Sequence, residues 1–108
     1  MGKIYNKLVR DRIPEIIEGN GEKPITRILG EEEYKTELET KLNEEYHEVL
    51  GTTISEERIE ELADMLEIID ALAVLEGKSL SDVVEVAKQK KLIRGGFEKR
   101  IFLERVDK

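Results

Sequence analysis

Glycine divides this chain into lengths that helices fill best. Gly30, Gly51, Gly77 and the pair Gly95-Gly96 bound three stretches of 17 to 25 residues. Within each, apolar residues recur at helical spacing instead of alternating, and a glycine just past the last periodic position suits a helix stop. The pattern predicts a long helix after Gly30 running to about Gly51, and a connection "GTTISEER" with Thr53 or Ser55 as N-cap. A second long helix then runs to Gly77, and a third opens at Ser79 or Ser81 and closes at Gly95-Gly96. Upstream, Pro14 disfavours helix at Ile13 but suits the first turn of a short helix ending near Gly19 or Gly21. "KPITRIL" is rich in β-branched residues and reads as a brief strand, with "FEKRIFLERV" as its partner through "TRIL". The expected fold is a single all-α domain over residues 1–108. Two long antiparallel helices carry a third packed on them, with a short N-terminal helix and a small two-stranded ribbon.

Composition narrows the function classes. Charged residues make up 40% of the chain and aromatic residues 5%, a balance that favours helices over a β-sandwich. With 25 acids against 18 bases the net charge is −7, which argues against a grip on nucleic-acid polymers or anionic membranes. A local basic patch can still hold a small phosphate. There is no cysteine, so disulfides and thiolate metal sites are excluded. The first residues, "MGKIYNKLVR", show no apolar run of the signal-peptide kind, and "LADMLEIIDALAVL" is too short and too acidic to span a bilayer. The expectation is a cytoplasmic protein. A chain of 108 residues removes roughly 65% of its unfolded surface from water, so a partner subunit adds usefully to its stability.

The informative charges lie on the wrong sides of their helices. At about 100° per residue, with Leu38 as zero, Glu45 falls near 340° beside Leu38 and Val49. Glu48 flanks that stripe at about 280°, and Glu44 points outward at about 240°. On the next helix, with Leu62 as zero, Glu61 falls near 260° inside an apolar arc roughly 200° wide, and Asp64 lies at its rim near 200°. So wide an arc exceeds what one interface needs and suggests several neighbours, another subunit among them. On the third helix, Lys90 and Arg94 fall near 340° and 20° from Val83, in the middle of the apolar side.

Carboxylates on a buried face need a cation or water. Two acidic pairs, each about one turn long on adjacent helices, can converge four carboxylates into an all-oxygen cage. Such a cage suits Mg²⁺, or Mn²⁺, and not zinc, which usually asks for His or Cys. Divalent cations can bridge phosphate oxygens and acidify water, and Lys90 and Arg94 would complete a phosphate site. Each feature also has a plainer reading. In so acidic a chain, EExxE and ExxD are often solvated faces, and Lys90 and Arg94 can snorkel outward or pair with acids. His47 reads as an exposed helix residue. The agreement of three helices, each with charge on its apolar side, is what favours a site.

The strings Glu44-Glu45-Tyr46-His47-Glu48 and Glu61-Leu62-Ala63-Asp64, twelve residues apart, resemble the EExxE and ExxD motifs of the all-α nucleoside triphosphate pyrophosphohydrolase superfamily, the MazG-like group. "YNKLVRDRIPEII" and "RGGFEKRIFL" resemble a short bacterial and phage subgroup, so the resemblance extends over nearly the whole chain. It implies a MazG-like bundle in which Glu45, Glu48, Glu61 and Asp64 bind Mg²⁺ and Lys90 and Arg94 contact phosphates. Lys7 and Arg10, in the N-terminal segment, would be further substrate or phosphate contacts. It also implies cleavage of a nucleoside triphosphate between the α and β phosphates to monophosphate and pyrophosphate, in a nucleotide house-cleaning role. Glu45 would orient or deprotonate the attacking water, and the protein would be a homo-oligomer, dimer or tetramer. The alternatives are a phosphoribosyl-ATP pyrophosphohydrolase, whose family lacks this N-terminal segment, a non-catalytic nucleotide- or protein-binding module, and a purely structural helical oligomer.

Overall fold

A computed structural model describes residues 2–108 and contains four helices, with no strand among the described residues. In chain order they are α1 (Ile13–Gly19), α2 (Glu31–Gly51), α3 (Ser55–Leu75) and α4 (Leu80–Arg94). The glycine punctuation reads correctly at three of the stops. Gly77 adopts φ +73°, and the amides of Gly77 and Lys78 return to the carbonyls of Val74 and Ala73, a Schellman closure of α3 that needs a left-handed residue. Gly95 ends α4 at φ +82°, and Gly51 is the last residue of α2.

Caps follow the sequence less evenly. Ser79 caps α4 with a capping box: the Asp82 amide donates to the Ser79 hydroxyl, and the Ser79 amide donates to the Asp82 carboxylate at 2.9 Å. That bonding holds the Asp82 carboxyl below its ordinary range. Neither Thr53 nor Ser55 caps α3. Ile54 takes the N-cap position with extended backbone and no side-chain acceptor, and Ser55 is already inside the helix. The turn is held instead by Arg58, whose guanidinium donates to the carbonyl and the hydroxyl of Thr52 at 2.9 and 3.2 Å. Helix α1 starts at Ile13, one residue earlier than Pro14 suggests, with the proline in its first turn.

The short connection over residues 52–54 folds α3 back along α2, and this hairpin is the centre of the structure. Its core is small: Leu38 at 4% exposure, Ile68 at 6% and Ala73 at 7% are the buried apolar residues. Helix α4 touches α3 but not α2, and it contributes no buried residue. The Leu80 amide at its start donates to the Asp70 carboxylate of α3 at 3.3 Å. This corrects the expectation of a third helix packed on both others. The two expected strands are also absent. Ile25 and Ile28 stand 85% and 97% exposed, and the tail from Ile101 to Leu103 is similarly open, so neither segment meets a backbone partner. β-branched composition is a local preference, whereas a ladder requires a neighbour.

Candidate metal centre

Within the hairpin, α2 presents Leu38, Leu42, Glu45 and Val49 toward α3, and all four are buried or half-buried. Glu44 and Glu48, both on one flank of that row, are exposed. On α3, Glu61 and Asp64 are half-buried and stand one turn apart. Oxygens of Glu45, Glu61 and Asp64 all lie within 4.8 Å of one another. Two elements therefore meet through three acids where a core would ordinarily place hydrocarbon.

The electrostatic cost concentrates on Glu45. Its Oε2 is buried and lacks a hydrogen-bond partner. Burial raises the Glu45 pKa to about 7, reinforced by hydrogen bonding with Glu61 and by the charges of Asp64, Glu61 and Glu48. With both groups ionised, Glu45 and Glu61 offer only acceptors to each other. A proton on Glu45 supplies the missing donor, and so would any cation that replaced it. The donor set is entirely carboxylate oxygen, half-buried, with one oxygen left without a partner, so these residues fit a hard divalent ion. Holding one would fall to Glu45, Glu61 and Asp64.

The remaining expected contacts are distributed otherwise. Glu48 does not join the three; it lines a shallow groove with Asn43, Glu44 and His47. His47 is exposed, as expected, bonds the Asn43 carbonyl at 2.8 Å and meets the Tyr46 ring edge-on. Lys90 and Arg94 are exposed, and no ion pair or hydrogen bond links them to the acids among the described residues. Their place in the middle of an apolar stripe does not bury them, because α4 has no second helix to cover that stripe. Lys7 sits over the Tyr5 ring, with its ammonium 5.7 Å from the ring centre.

Arg10 arrives at the site in an unexpected way. Its Nη2 donates to Asp64 Oδ1 at 2.7 Å, from the extended segment before α1 and across 54 positions of sequence. Expected as a substrate or phosphate contact, Arg10 here is a counter-ion to one of the candidate ligands. Nothing in the local sequence marks this pairing. A divalent ion and the guanidinium would compete for the same oxygen, and both side chains are about half exposed. Such pairs contribute up to about 1 kcal/mol, so Arg10→Met is expected to tighten Mn²⁺ binding about two- to fivefold, measured by paramagnetic titration. Unchanged or weaker binding would show that the two cations do not compete.

A relative from Mycolicibacterium smegmatis, described as an uncharacterized protein, is 49% identical to this chain over 43 residues. The match takes in 40% of the chain and 44% of the relative, so the chain spans less than half the length of that protein. No family profile matches the chain, and no solved structure matches it.

Proposed function

We propose that the chain is a Mg²⁺-dependent nucleoside triphosphate pyrophosphohydrolase, cleaving between the α and β phosphates to release monophosphate and pyrophosphate. The observation that carries this reading is Glu45, a half-buried carboxylate with a partnerless oxygen set against Glu61 and Asp64. Its position in an EExxE string, with ExxD opposite, supports the same reading.

Mg²⁺, when bound, would neutralise the carboxylates, draw phosphate oxygens to them and acidify water. Glu45, Glu61 and Asp64 would hold it, while Glu48, one turn along α2, stands outside the three. Water adds to the α-phosphorus, the bond from that phosphorus to the bridging oxygen breaks, and pyrophosphate departs with the electron pair. Glu45 orients that water or takes its proton at Oε2. Lys90 and Arg94 offset charge on the departing pyrophosphate. The protein works as a cytoplasmic homo-oligomer that clears nucleotides from the pool.

The test is pyrophosphate release across a panel of nucleoside triphosphates and phosphoribosyl-ATP, with and without Mg²⁺. Release that requires Mg²⁺ is the expected result, and no turnover of any member defeats the reading. One observation favours a second reading: Arg10 already supplies Asp64 with a cation. A non-catalytic module would keep that pair and bind nucleotide or protein through the same cleft without regard to Mg²⁺. Calorimetry separates the two.

A further inference from the structure

The chain is too open for its size. Its accessible surface is 10151 Å². A compact 12.4 kDa monomer would expose about 6100 Å². Its radius of gyration is 18.6 Å, against about 13 Å for a compact chain of this length. The excess surface is larger than one subunit's share, roughly 1000–2500 Å², of an obligate dimer interface.

Much of the open apolar surface falls on two regions. One is the face of α3 carrying Ile59, Leu62 and Leu66. The other is an arm, residues 80–108, in which Leu92, Ile93, Phe97 and Phe102 are 80 to 97% exposed. The charges of the two regions are opposite. Residues 31–75 hold fifteen acids and three bases, whereas residues 80–108 hold eight bases and five acids. The modest net charge of −7 conceals a strongly acidic hairpin and a basic arm on one chain.

We propose that the arm of one copy lies across the α2–α3 hairpin of a second copy, and reciprocally. An acidic surface with an apolar stripe and a basic surface with exposed Leu, Ile and Phe are complementary, and one chain carries both. Two copies can then satisfy each other about a two-fold axis without leaving either surface open. A different protein would leave unexplained why the complement to the hairpin is already present in the same chain. The exchange would also be a route for Lys90 and Arg94 to reach the carboxylates. That clause alone rests on the proposed hydrolase, and the assembly does not.

The experiment is complementation, read as mass by light scattering at about 50 μM without nucleotide or metal. One variant carries Ile93→Asp and Phe102→Asp in the arm, and another carries Leu62→Asp and Leu66→Asp on the hairpin. Wild type is expected as a dimer or a dimer of dimers, with each variant monomeric. A one-to-one mixture should recover association, because it retains one intact arm and one intact hairpin. Circular dichroism verifies that each variant stays helical. If the hairpin variant unfolds, the arm variant decides alone, since its substituted residues have no packing to lose. A monomeric wild type, or an arm variant that still assembles, overturns the proposal. A failed nucleotide screen would leave these masses unchanged, so the two readings fail separately.

Discussion

Replacing Glu45 with Gln is expected to lower Mg²⁺-dependent turnover by about 10²- to 10³-fold, the scale of a lost general base or electrostatic stabiliser. The substitution keeps the size and hydrogen-bonding capacity of the side chain and removes its charge and basicity. It should not harm the fold, because the charge it removes is the one the hairpin accommodates worst. Mn²⁺ affinity measured beside turnover separates the two roles of Glu45. A fall in kcat with unchanged metal affinity identifies a group that handles the proton of water. A parallel loss of affinity identifies a ligand. Full activity in Glu45→Gln would remove Glu45 from the site altogether.

The second large effect is on stability and needs no substrate. Glu45 in the folded chain titrates at about 7, while an unfolded glutamate titrates near 4.3. Between those values the folded state holds the extra proton, so stability falls as pH rises. The favourable contribution is fully present below about pH 4.3 and is gone above about pH 7. Its size follows from the shift and is at most about 4 kcal/mol. In chelator, wild type should therefore lose urea resistance relative to Glu45→Gln between pH 4.5 and 7.5. Added Mg²⁺ should restore it in wild type only. Two other groups act with the opposite sign and lower on the pH scale. Arg27 lowers the Glu33 carboxyl through its hydrogen bond, and the Ser79 amide lowers Asp82, so their contributions are lost as the medium becomes acid. Parallel pH profiles for wild type and Glu45→Gln would show that Glu45 carries no such strain.

Both predictions depend on a site whose parts were legible to different degrees. Glu45 was distinguishable from Glu44 and Glu48 because the rotation of a regular helix is fixed per residue, and the row from Leu38 to Val49 names the side facing inward. The same arithmetic placed Glu61 and Asp64 beside the apolar residues of α3. It misled at Lys90 and Arg94, because an apolar stripe is buried only if something covers it, and α4 meets α3 alone. Glu48 lies near the edge of the stripe, where a small rotation decides between cluster and solvent.

Local chemistry determined the helices of this protein. Gly77 stops α3 because a left-handed residue closes its last turn, Gly95 turns the chain off α4 at positive φ, and Ser79 with Asp82 starts α4 because side chains three positions apart can satisfy its free amides. These interactions span a few residues, so the order of residues alone specifies them. The tertiary structure decided which surfaces meet. Folding α3 back on α2 brought Glu61 and Asp64 against Glu45, and Arg10 crossed 54 positions to reach Asp64. It left "KPITRIL" and the tail without the neighbour that a strand requires. Such contacts depend on closing long loops and on which burial outweighs that entropy, a sum over the whole chain that no short pattern contains.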